Sequence, residues 1–162
     1  MTAAELHADT LSRNGEMLKM TLSDLSDSDL LTRPCPGANH ANWQLGHLIS
    51  SEAFFLKAMG APTPELPAGF AERYNKSTAA SADPSQFAKK DELLNLFTRV
   101  RAASVNFASK AKPEDLDKPG PEPIRPFSPT VGHTILITIA HTAMHLGQVQ
   151  VLRRKLGKPV LF

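Results

Sequence analysis

Val131-Gly132-His133-Thr134-Ile135-Leu136-Ile137-Thr138-Ile139-Ala140-His141-Thr142-Ala143-Met144-His145-Leu146-Gly147-Gln148 is the stretch whose reading decides the fold. Its core, Ile135 to Ile139, is rich in β-branched residues and would suit a buried strand. Against a strand, no turn signal interrupts residues 131–156, and Gly157 followed by Pro159 is a helix stop. The stretch therefore predicts one long helix, apolar nearly all round at its start and hence central to the fold. On that helix His141 and His145 lie four positions apart, about 40° around the axis and one turn along it. This is the spacing at which one helix offers two imidazole nitrogens to a single metal ion. Thr142, Ala143 and Met144 fill the gap, so the glutamate of the H-E-x-x-H metalloproteases is absent and a zincin is excluded.

Working back from there, residues 3–25 place Ala4, Leu11, Leu18, Leu22 and Leu25 on one amphipathic stripe. Residues 24–31 add a short turn before Pro34 and Pro36. Asn39 reads as an N-cap opening a helix through Gly60, with Leu45, Leu48, Ile49, Phe55 and Leu56 on its apolar side. Residues 61–88, with four prolines, read as a long connection. Leu93, Phe97, Val100 and Phe107 mark a helix over about 88–111, and residues 112–129 form a second proline-rich connection. No strand partner and no repeat is evident. The chain, residues 1–162, predicts a single all-α domain: a four-helix bundle whose long crossover connections depart from simple up-down-up-down pairing.

Composition narrows the function classes. At 162 residues, 41% hydrophobic and 21% charged, the chain is ordinary globular material. A net charge of +2 with no long basic block argues against nucleic acid and anionic membrane as partners. The single cysteine, Cys35, excludes an internal disulfide and suits a reducing compartment, and its loop position between prolines carries no nucleophile signature. Residues 1–30 show no signal-peptide core, and the uninterrupted apolar run 135–140 is far short of a membrane span. These features predict a cytoplasmic protein.

A third ligand should come from another inward-facing helix. His47, in Trp43-Gln44-Leu45-Gly46-His47-Leu48, meets that requirement, and three neutral imidazoles would leave the ion open to water or substrate. The alternative is three unrelated histidines, His47 merely filling a bundle seam. Of the other three histidines, His40 lies about 10 Å from His47 along the helix and suits a helix start. His133 belongs to the first turn of the last helix, and His7 to an exposed helix face. Gln148 is a weak candidate to hold a ligand or water. Glu52 points about 140° away from His47. Arg73, Tyr74 and Lys76 read as a solvated loop more readily than as a pocket wall.

Taken together, Asn39…Trp43-Gln44-Leu45-Gly46-His47-Leu48…Glu52 and His141-Thr142-Ala143-Met144-His145-Leu146-Gly147-Gln148…Leu152-Arg153-Arg154-Lys155-Leu156-Gly157 resemble the DinB-like superfamily over essentially the whole chain. The resemblance implies a commonly dimeric four-helix bundle with a divalent metal held by one histidine of the second helix and two of the last. These positions fall on His47, His141 and His145. It also implies a small-molecule substrate, because relatives include S-transferases and isomerases using low-molecular-weight thiols, and metal-dependent hydrolases of unassigned substrate. The leading expectation is metal-dependent transfer of a small thiol, or a related hydrolysis, on a small electrophile. The competing expectation is a non-catalytic, metal-binding or stress-associated dimer. Imidazole ligands suit zinc, nickel and iron alike, and no catalytic base is legible.

Overall fold

The computed structural model describes residues Met1–Phe162 and is built from helices alone, with one isolated bridge between Pro119 and Thr130. Four long helices carry the molecule: α1 (Ala3–Leu22), α3 (Ala41–Ala58), α5 (Lys90–Lys110) and α7 (Val131–Lys155). The single turns α2 (Asp27–Leu30), α4 (Phe70–Arg73) and α6 (Pro113–Leu116) punctuate the connections. The all-α four-helix bundle read from the sequence is the fold observed. Three of the helix starts are capped by their own side chains. Thr2 closes a capping box with Glu5, Ser26 does so with Asp29, and the Thr130 hydroxyl accepts the His133 amide. Gly157, in the left-handed region at φ 68°, ends α7 where a stop was expected.

The start of α3 differs by one residue from the sequence expectation. His40, not Asn39, is the N-cap: its Nδ1 accepts the Trp43 amide at 3.0 Å. A neutral imidazole nitrogen supplies the acceptor that Asn or Ser usually provides, so a preference for short polar caps misplaces the start.

In cross-section, α1 and α3 each pack against both α5 and α7, so α1 faces α3, and α5 faces α7, across diagonals. The α1-to-α3 and α5-to-α7 connections must each cross the bundle, whereas the longest connection, residues 59–89, joins the neighbouring α3 and α5. The main core runs from Leu18 and Leu22 through Trp43, Leu45, Leu48 and Ile49 to Phe97, Val100, Val149 and Leu152. A smaller cluster of Leu11, Ala108, Val131 and Ile135 closes the other end.

Helix α7 meets its core with polar as well as apolar groups. Thr134, Thr138 and Thr142 are buried, and each hydroxyl donates to the carbonyl four residues earlier, so a polar side chain enters the core satisfied. An 18-residue window of α7 reaches a mean hydropathy of 1.3, enough by length and composition for a membrane span. Judging only the run 135–140 missed this. The windowed hydropathy counts both the buried face and an exposed apolar one, and in the fold the helix packs against α1 and α3.

Candidate metal centre

The last helix delivers His141 and His145 from successive turns, and α3 delivers His47 opposite them. Their ligand-capable nitrogens all lie within 4.8 Å of one another. His141 Nε2 and His145 Nε2 are 3.1 Å apart, and the His47 ring centroid is 5.0 Å from that of His141 and 5.9 Å from that of His145. A tetrahedral ion with bonds near 2.0–2.1 Å needs nitrogens about 3.3 Å apart. The closest pair is near that spacing, and the His47 nitrogen lies within 4.8 Å of both.

Burial sets the charge of these rings. It pushes His141 down to about 4 and His145 down to about 3, with the neighbouring histidines adding to the shift. His47 is also lowered, chiefly by burial, with the nearby Tyr74 backbone opposing the shift and Lys76 adding to it. Three imidazoles that stay neutral at physiological pH are the protonation state that ligation requires. The donor set, the spacing and the charge state all fit a divalent cation.

The rings are held from behind. Trp43 stacks on His47 with centroids 4.8 Å apart and planes 10° from parallel, and its indole Nε1 donates to the Asn75 carbonyl and the Thr78 hydroxyl. Gln44 lies behind His145, with Oε1 2.9 Å from Nδ1. Both residues stand in the segment that supplies His47, yet the sequence assigned neither a role. The available signal was that Gln44 precedes His47 by three positions and so shares its helix face.

In front of His47 opens a recess of about 860 Å³ between α3 and residues 61–76, lined in part by Ser51, Phe54, Phe55, Leu66, Tyr74 and Lys76. A second recess of about 410 Å³ shares His47, Ser51 and Phe55 and continues to His141 and Met144. Tyr74 and Lys76 therefore help to wall a pocket, where a solvated loop was the favoured reading, while Arg73 stays outside that lining. Gly46 is the reason: an added Cβ there would fall 2.1 Å from the Tyr74 ring, so the missing side chain lets buried Tyr74 lie on the helix backbone.

Other candidates fall outside the cluster. His133 is exposed and bonded to Thr130, as expected. His7 is half-buried with Nδ1 unpartnered, not the exposed residue its position on the amphipathic helix suggested, because it lies beside the buried Ala8 and Leu11. Gln148 faces solvent, and Cys35 is an exposed thiol. Glu52 points away from the site into the core, as its helical angle required, and its carboxylate receives Arg101 Nε and NH2, each at 2.8 Å.

Comparison with known proteins agrees with this architecture. The family model of the DinB superfamily matches residues 10–149. A conserved protein from Enterococcus faecalis superposes with a TM-score of 0.67 at 19% identity, over 98% of this chain and 99% of its own. YfiT from Bacillus subtilis, described as a probable metal-dependent hydrolase with an unusual four-helix bundle topology, superposes with a TM-score of 0.64 at 17% identity, over 96% of this chain and 89% of its own. No curated protein matches the chain in sequence.

Proposed function

The chain belongs to the DinB superfamily, and from that premise we propose that it is a cytoplasmic, metal-dependent enzyme that transfers a low-molecular-weight thiol to a small electrophilic molecule, or carries out a related hydrolysis. His47, His141 and His145 are the proposed ligands, and zinc, nickel and iron are the proposed ions. The observation that carries the reading is the convergence of three neutral imidazoles, of which His47 lines a recess large enough for a small molecule and shares a smaller one with His141. An ion held by three neutral ligands keeps its full charge and lowers the pKa of a water or thiol bound to it. Phe54, Phe55 and Leu66 would bury an apolar substrate body, while Ser51, Asn75 and Lys76 offer hydrogen bonds and a positive charge at the rim. The description of YfiT as a probable metal-dependent hydrolase supports the hydrolytic branch.

A screen of the metal-loaded protein with model electrophiles, with and without small thiols, tests this reading. Turnover that needs a thiol and is abolished by a chelator selects transfer, and chelator-sensitive turnover without thiol selects hydrolysis. Stoichiometric metal with no turnover in either arm would leave the non-catalytic metal-binding protein.

We also propose a homodimer. Along α7, Leu136, Ala140, Ala143, Met144, Gly147 and Val151 are exposed and lie within about 100° of one another around the axis. Leu136 is 48%, Met144 61% and Val151 46% accessible. Such an unpartnered apolar strip suits a second copy of this chain.

A further inference from the structure

Gln44 is fully enclosed, and both ends of its amide are engaged. Its Nε2 donates to the Asn39 carbonyl at 2.6 Å. A carbonyl only accepts, so this bond fixes which way the amide faces and turns Oε1 towards His145 Nδ1, 2.9 Å away. An amide oxygen likewise only accepts, so Nδ1 must carry the proton of the neutral ring. Nε2 of His145 is then left with its lone pair directed at His141 Nε2, 3.1 Å away. In the metal-free protein the proton between those two nitrogens therefore sits on His141, whose ring has no comparable partner fixing its other nitrogen.

We propose that Gln44 is the positioning residue of the metal centre, holding His145 as a pre-formed Nε2 ligand while His141 keeps the freedom to exchange tautomers when an ion enters. The first half of this concerns the protein alone, and the second rests on the metal reading above. The choice of an amide has a consequence. A carboxylate behind a ligating histidine makes the ring more basic, whereas an uncharged oxygen orients it without passing negative charge towards the ion.

The test combines imidazole 15N spectra of the metal-free protein at neutral pH with Zn2+ and Ni2+ affinities from competition against a chromogenic chelator. The parent should show His145 Nδ1 as the protonated nitrogen and Nε2 as the bare one. Gln44→Met removes the acceptor at similar volume, so that signature should be lost and affinity should fall about 10- to 100-fold. Gln44→Glu keeps an oxygen on Nδ1 in either protonation state, so it should retain the tautomer and most of the affinity. A purely structural role for Gln44 would not divide the two variants in this way. Circular dichroism of each variant confirms folding, and the parent spectrum needs no variant at all. A parent with a bare Nδ1, or a folded Gln44→Met protein with parental tautomer and affinity, overturns the proposal. A parent with the expected tautomer that binds neither ion overturns the metal reading, and with it the positioning role, while leaving the hydrogen bond to Gln44 established.

Discussion

At the scale of single residues, each proposed ligand has a different support: an indole face for His47, an amide oxygen for His145, and none of comparable strength for His141. Replacing any of the three by alanine should remove most of the bound metal, whereas His133→Ala, whose side chain is exposed beside Thr130, should leave it in place. Elemental analysis of purified variants checks this, and the same stoichiometric metal in parent and His145→Ala would refute the three-histidine site. Unperturbed imidazoles would bring proton competition near pH 6.5. Burial lowers His141 to about 4 and His145 to about 3, so metal affinity should hold through pH 6.5 and weaken only as pH falls towards 4. The same shifts act on stability. His40, fully buried, is lowered to about 4 by burial and by Arg33. An unfolded histidine takes up its proton near pH 6.5, so the stability these neutral rings contribute is complete above that pH and is lost as pH falls through it towards 4. The melting temperature of the metal-free protein should fall over this window. His40→Asn, which still caps a helix but does not titrate there, should make the fall shallower. The pair on α7 was legible because its spacing lies within one helix. Gln44 was not, because its acceptor and donor partners, Asn39 and His145, become neighbours of the same amide only when α3 meets α7.

Between elements, one guanidinium sets the relative placement of the four long helices. Arg101 on α5 forms a bidentate ion pair with Glu52 on α3, donates to the Leu11 carbonyl on α1 at 2.8 Å, and donates to the Thr142 hydroxyl on α7 at 2.8 Å. Thr142 lies between the two histidines of α7, so this contact also fixes how far α7 slides against α3. Both charged side chains are almost wholly enclosed, at 6% and 3% exposure, and Gly15 leaves room for the arginine stem, which an added Cβ would meet at 3.1 Å. Arg101→Met should cost about 3–5 kcal/mol, because it leaves a buried carboxylate without its partner, while Arg101→Met with Glu52→Leu should recover much of that loss. Chemical denaturation of the two variants measures the difference, and equal stability of Arg101→Met and parent would show the pair to be dispensable. The extents of the four helices could be read in advance, because a period near 3.6 and end signals at proline and glycine are local properties. The ion pair could not. Glu52 and Arg101 are 49 positions apart, and nothing in either neighbourhood announces that the two will be buried together.

For the whole molecule, the diagonal α1–α3 and α5–α7 pairs need connections that cross the bundle, while the longest connection, between the neighbouring α3 and α5, supplies residues 61–76 as a wall of the recess at His47. The last consequence concerns the outer face of α7. Its inner face is committed to the core and the histidines, but Leu136, Met144 and Val151 remain exposed along a strip whose middle holds only Ala140, Ala143 and Gly147. A Cβ added at Gly147 would meet nothing within 4 Å, so a second helix could approach the backbone closely there. Two copies related by a two-fold axis would set strip against strip, burying Leu136, Met144 and Val151 of both at once. Met144 also lines the smaller recess beside His141, so the partner would sit at the edge of the candidate metal centre. Light scattering at micromolar concentration should give twice the 17.6 kDa chain mass. Met144→Lys combined with Val151→Lys should convert the protein to monomer without loss of helix content, because both positions are exposed in the isolated bundle. A parent that stays monomeric up to millimolar concentration would refute the dimer. A double variant that remains dimeric would place the interface elsewhere on the surface.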